Sequence, residues 1–210
     1  LVLEAPPGPH PKLSQGVTTV ITGNCGISLA PLSWVGSAPP SPLDLLGREN
    51  WTFERFGDYL DSIEHAGPAV NTACLVGHTT LRVRHVADLE RPADAAECRR
   101  MAADLDDALR SGALGLSTGL YYPPARAATA DEVIAVGSPL RRHGGVVAMH
   151  LRDEADRIDD ALREGFRIGR ALEVETVLSH HKLVGTRNHG RASDTLSMID
   201  EAAAAQPLCL

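Results

Sequence analysis

From Gly144 to Asn188 the chain reads strand, helix, strand, and no other stretch limits the possible folds so strongly. Gly145 to His150 (GVVAMH) is a short apolar run of the kind found in buried parallel strands. Ile158, Ala161, Leu162, Phe166, Gly169 and Leu172 recur at three- and four-residue spacing, which makes one face of a helix apolar. Val174 to Ser179 is a second strand, and His180 follows it directly. Two successive strands thus end in histidines 30 positions apart (180 − 150), about the length of one βαβ unit. Both imidazoles are expected at the carboxyl edge of one sheet, where parallel α/β folds place their chemistry.

The rest of the chain extends this pattern. Residues 1–15 are rich in proline and glycine and are expected to be an irregular N-terminal segment. Val17 to Thr22 is β-branched throughout, a strand signal, and it ends in a Gly23-Asn-Cys25-Gly26 turn. Residues 31–50 form a Pro/Ser/Gly-rich excursion, read as a loop over the site. A helix is predicted from Phe53 to His65 and a strand from Ala69 to Val76, running into Gly77-His78. Pro92 is expected to open the next helix. Ala113 to Ser117 reads as a strand, and Thr129 with Glu132 has the spacing of a capping box. Gly137-Ser-Pro139 should break that helix early. A last helix over Ser193 to Ala205 precedes a short strand at Pro207 to Leu210.

Strands alternating with crossover helices mean a parallel sheet. Ligand-type residues after several different strands favour a (β/α)8 TIM-type barrel of the metal-dependent hydrolase kind. Such a barrel takes about 250 residues, whereas residues 16–210 supply five strands and a stub. An incomplete barrel, lacking its first and last strands, is expected.

Composition removes several function classes. The net charge is −7, with no basic block, so nucleic acid is not expected as a partner. No apolar run approaches the roughly 20 residues of a membrane span, and the first residues show no signal peptide. The four cysteines, Cys25, Cys74, Cys98 and Cys209, form no Cys-x-x-Cys pair. A reduced, cytoplasmic setting is expected, with Cys74, Cys98 and Cys209 as buried small apolar side chains.

Cys25, His150 and His180 share one position, the end of a parallel strand. Thiolate and imidazole suit Zn2+, and three protein ligands with one open place is the catalytic arrangement. Pattern alone leaves two readings open: a metal centre, or strand-end histidines satisfied by hydrogen bonds. His78 also ends a strand and is a candidate pocket residue. Arg152, Asp153 and Glu154 are expected to form ion pairs and charge a helix N-terminus, and His181 to stand behind the site or face solvent.

Four separated motifs carry a family resemblance: Gly16 to Pro31 (GVTTVITGNCGISLAP), Gly112 to Ala125 (GALGLSTGLYYPPA), Met149 to Glu154 (MHLRDE) and Ser179 to Lys182 (SHHK). Together they resemble the N-acyl-D-amino-acid deacylases (D-aminoacylases) of the amidohydrolase superfamily. The resemblance implies that Cys25, His150 and His180 hold the tightly bound zinc. It also implies that Lys182 polarises the substrate carbonyl or holds its carboxylate, and that Tyr122 lies beside the pocket. The family's His-x-His pair belongs upstream of the cysteine, where the chain has only His10; its catalytic aspartate belongs after the last barrel strand. The expectation is therefore the middle of a deacylase that cleaves a small N-acyl-D-amino acid. Little activity is expected from this chain alone, and self-association follows from the open sheet. Two alternatives stand beside it. An amidohydrolase of cyclic amides usually needs a carboxylated lysine after a middle strand, but Thr118 and Gly119 occupy that place. A non-catalytic zinc-binding remnant is the other.

Overall fold

The computed structural model describes residues 11–47 and 50–210. Most of the predicted N-terminal segment, His10 included, lies outside them. The elements in chain order are β1 (Thr19–Thr22), β2 (Leu32–Ser33), β3 (Thr52–Phe53), α1 (Phe56–Ala66), β4 (Asn71–Gly77) and α2 (His78–His85). They continue with α3 (Ala95–Arg110), β5 (Gly115–Gly119), α4 (Pro123–Arg126), α5 (Ala130–Gly137) and α6 (Leu140–His143). The last are β6 (Val146–His150), α7 (Ile158–Leu172), β7 (Glu175–Leu178), α8 (Ala192–Ala203) and β8 (Leu208–Cys209).

Six strands make one parallel sheet in the order β1-β4-β5-β6-β7-β8. Helices follow the strands, as parallel pairing demands, because the chain must return to the same edge before each new strand. The sheet is a curled, incomplete (β/α) barrel, as the strand count predicts. β2 and β3 pair antiparallel outside it. Leu32 of β2 sits with Trp51 and Leu43 in a small apolar cluster, while Phe53 of β3 packs on the main core.

The main core lies between the sheet and its helices. α7 turns Ile158, Ala161, Leu162, Phe166, Ile168 and Leu172 inward, all buried. Full burial of one such large apolar side chain contributes about 1.5–3 kcal/mol. This face fastens the βαβ unit that carries both histidines. The helix break at Gly137 has a packing reason. A Cβ there would stand 2.9 Å from Leu172 Cδ1, so glycine lets α5 approach α7. Pro139 then leads into α6.

Four local expectations are corrected. The helix assigned to Pro92 starts at Ala95 instead. Asp94 is its N-cap, accepting from the Ala96 and Glu97 N–H groups, while the Glu97 carboxylate accepts from the Asp94 N–H. This reciprocal box satisfies donors that a proline at the first turn would leave to water. At α5 the predicted box is only half made. Thr129 accepts from Glu132 N–H, but the Glu132 carboxylate is drawn into a buried network described below. The residues after Gly77, read as a strand end, form the helix α2. Among the cysteines, Cys74 is buried, Cys98 is half-buried and Cys209 is exposed on β8, not buried as expected. All four are free thiols.

Candidate metal centre

The chain reaches the carboxyl edge of the sheet with Cys25 after β1, His150 at the end of β6 and His180 two residues past β7. One ligand atom from each lies within 4.8 Å of the others. Cys25 Sγ stands 3.3 Å from His180 Nε2, and the two imidazole centroids are 4.5 Å apart, nearly edge-on. The parallel register makes this possible. β6 and β7 are direct neighbours, so their ends bring the rings together despite the 30-residue separation (180 − 150).

The cysteine arrives by a different route. β1 is three strands away from β6 in the sheet, so its loop must reach across. The Gly26 N–H donates to Ser117 Oγ of β5, 3.0 Å away, and Ser117 in turn donates to the Gly23 carbonyl. Ser179 Oγ donates to Asn24 Oδ1 at 3.2 Å, tying the loop to the end of β7. The Cys25 carbonyl lies where a Cβ on residue 119 would be, so Gly119 is what lets the loop settle onto β5. Cys25 and His180 both have positive φ, 55° and 45°. Such backbone costs an L-residue energy, and it persists where surrounding contacts hold it and a site uses it.

The donor set suits a thiophilic cation. His150 Nε2 is buried and has no hydrogen-bond partner in the protein. A buried ring nitrogen of this kind fits a cation as its partner. Burial, above all, pushes His150 below the usual histidine value, keeping the ring in the neutral form that can donate electrons. Burial also pushes the Cys25 thiol up, with the Glu154 charge adding to it and the Lys182 ammonium opposing. Binding a cation there must therefore displace the thiol proton.

Around the cluster, Tyr121 and Tyr122 pack on the His150 ring, with centroids at 5.7 and 5.0 Å. The Tyr122 hydroxyl is 3.5 Å from His150 Nδ1. The Lys182 ammonium is 2.6 Å from a Glu154 carboxylate oxygen. A cavity of about 670 Å³, lined by His180, Lys182, Leu183, Asn188, Leu196 and others, opens beside them.

His78 does not join this group. It is the first residue of α2, fully buried, with Nε2 3.2 Å from Glu132. Its ring lies in a buried network with Glu132 and Arg82, not on the wall of the cavity beside the cluster. His181 bonds the Thr195 hydroxyl at 3.0 Å and ties the site loop to α8. Arg152 pairs with Glu164, and Asp153 accepts from the Ala155 and Arg157 N–H groups, as ion pairing and helix charging predict. Glu154 forms an ion pair too, with Lys182, but at the cluster rather than at a helix N-terminus. Its side chain is only 10% exposed and reaches His150, His180 and Lys182. Spacing alone held a hint: Glu154 lies four residues beyond His150, but no helix runs there to make that spacing meaningful.

No family model matches the chain. It is 55% identical over 210 residues to an N-acyl-D-aspartate deacylase of Alcaligenes xylosoxydans xylosoxydans, covering 99% of this chain and 42% of that protein. A solved D-aminoacylase structure, described for the functional role of its binuclear metal centre, superposes with a TM-score of 0.91 at 55% identity, covering 94% of this chain and 42% of that one. An N-acyl-D-glutamate deacylase from Bordetella bronchiseptica, solved with zinc and a phosphonate mimic of the tetrahedral intermediate, superposes with a TM-score of 0.88 at 38% identity, covering 95% and 42%. The chain thus spans about two-fifths of each of these proteins.

Proposed function

Because the chain belongs, over the segment it spans, to the D-aminoacylase family of amidohydrolases, we propose that it holds the zinc-binding half of an N-acyl-D-amino-acid deacylase. The observation that carries the reading is the convergence of Cys25, His150 and His180 around an unpartnered buried nitrogen. When bound, zinc supplies a Lewis acid and lowers the pKa of a coordinated water to about 7.

The chain's own residues supply the surroundings. Lys182, nearly half exposed, presents its ammonium toward the cavity while Glu154 holds its other side. A fixed cation at that place favours the carboxylate, or the developing oxyanion, of an N-acyl amino acid. Tyr121 and Tyr122 wall the His150 side and exclude water from the imidazole. Among the described residues, no carboxylate at the cluster is free to carry a proton to a leaving amine. Glu154 is paired with Lys182, and Asp153 is occupied by backbone N–H groups. Proton transfer of that kind is worth about 10²- to 10⁴-fold, so the 210-residue chain alone should hydrolyse N-acetyl-D-amino acids at or near background. The full-length protein containing this segment should hydrolyse them with preference over the L enantiomers, and His180→Ala should reduce that rate to background. Unchanged turnover by His180→Ala would remove the site from the reaction.

A further inference from the structure

The Cys25 turn reaches the two imidazoles only by crossing the sheet. β4 and β5 stand between β1 and β6 in the strand order. Neighbouring strands lie about 4.8 Å apart, which puts β1 about 14 Å from β6. The floor that the turn crosses is nearly bare. Gly77 ends β4 and Gly119 ends β5. A Cβ on the first would collide with the Gly26 carbonyl oxygen, and a Cβ on the second with that of Cys25. Between them one side chain rises. Ser117 pairs with Gly77 on one side and with Ala148 on the other, while Gly119 pairs with His150. Side chains alternate faces along a strand, so Ser117 shares its face with Gly119 and His150.

The hydroxyl of the fully buried Ser117 bonds the turn on both sides of Cys25. It accepts the Gly26 N–H at 3.0 Å and donates to the Gly23 carbonyl. The two ends of the turn thus close on one oxygen and not on each other. A single atom can serve an N–H and a carbonyl together only if it both accepts and donates, as a hydroxyl does. The other holds on the turn are one-sided. Ser179 bonds Asn24, before the thiol, and the Thr80 N–H bonds the Gly26 carbonyl at 3.3 Å, after it. Cys25 has a φ of 55°, a conformation that an L-residue keeps only when its neighbours are held.

We propose that Ser117 is a positioning residue: its hydroxyl clamps the turn across Gly23 and Gly26 and so sets the Cys25 thiol beside His150 and His180. The consequence for zinc rests on the metal reading above, whereas the consequence for the thiol needs no metal. Without the hydroxyl, two buried backbone groups lose their partner, and the turn relieves this by lifting off β5 toward water. The sheet itself keeps its bonds, because strand pairing uses the backbone of Ser117 and not its side chain.

The test uses the full-length protein that contains this segment. The metal-free form is treated with iodoacetamide, and alkylation is read cysteine by cysteine from the mass of each peptide. In Ser117→Ala, Cys25 should react several times faster than in the wild type. Cys74, 1% exposed in the main core, should stay protected, because only opening of the whole fold uncovers it. Affinity for the first equivalent of zinc, read by competition with a chromogenic chelator, should fall about 10- to 100-fold, the range for losing an outer support of a metal ligand. Ser117→Thr and Ser117→Val add similar bulk, but only threonine keeps a hydroxyl, so it should bind zinc about tenfold more tightly than valine. Wild-type zinc affinity in Ser117→Ala, or equal affinity in the threonine and valine variants, would overturn the proposal. So would Cys74 opening in step with Cys25, since the hydroxyl would then serve the whole fold and not the turn. A wild type that binds no zinc, with Cys25 alone freed in Ser117→Ala, would uphold the clamp and refute the metal reading.

Discussion

A thiol and two imidazoles from three strands make a site only if all three are needed. Two ligands seldom hold zinc tightly, so Cys25→Ala, His150→Ala and His180→Ala should each remove most of about one equivalent of zinc, measured by elemental analysis. His181→Ala should not, because His181 spends its Nε2 on Thr195 and stands behind the loop. Unchanged zinc in His150→Ala would refute the assignment. At this scale the residue types were legible in the sequence, since strand ends and a Gly-Asn-Cys-Gly turn mark where ligands can stand. Glu154 was not. Whether a loop carboxylate four residues beyond a strand turns toward the metal position or away to solvent depends on φ and ψ values that no period encodes.

Elements are coupled through buried charge. Arg82 on α2 and Glu132 on α5 meet at 2.5 Å with 0% and 1% of their side chains exposed, and Arg82 also donates to the carbonyls of Pro124, Leu89 and Arg91. Burial by itself would raise Glu132, but hydrogen bonds from His78, the Ala93 N–H and Arg82 outweigh it and bring its pKa down to about 2. Glu97 of α3 is likewise held at about 2, by Arg91 first and then by the Asp94 N–H. Both carboxylates are depressed in the fold. Their stabilisation is therefore complete above the unfolded value of about 4.3 and is lost as pH falls from there toward 2. Denaturant titrations should show stability dropping through that window, with a flatter profile in Glu97→Gln. Glu132→Ala leaves Arg82 buried without its partner and should cost about 3–5 kcal/mol at pH 7. A loss under 1 kcal/mol would mean the network contributes little. The helix α2 and the diversion of Glu132 from its expected capping role belong together, because only packed helices bring Arg82 to it.

Across the whole molecule the described sheet has two outer edges, β1 and β8. Ile21 on β1 is 57% exposed and Leu210 beside β8 is 58% exposed, with Leu196 of α8 near the latter at 41%. Unpaired strand edges beside apolar surface invite pairing with another chain. The 210-residue chain by itself should therefore associate, with light scattering giving a mass above the 22.3 kDa of one chain. A monodisperse monomer with one cooperative unfolding transition would show that the edges are adequately protected. Among the described residues no helix is long and apolar enough to cross a membrane.

The amino-acid sequence by itself determined the alternation of strands and helices, the apolar face of α7 and the strand-end places of Cys25, His150 and His180. These are consequences of local spacing, which one stretch of chain carries without help from the rest. Only the tertiary structure decided that Cys25 crosses from β1 to the two histidines, that His78 turns inward to Glu132, and that Glu154 stands between His180 and Lys182. Those outcomes depend on sheet order, on the close seat that Gly119 offers the thiol loop, and on which buried charges find partners. Each is a contact between residues far apart in the chain, chosen by the energy of leaving a polar group unpaired.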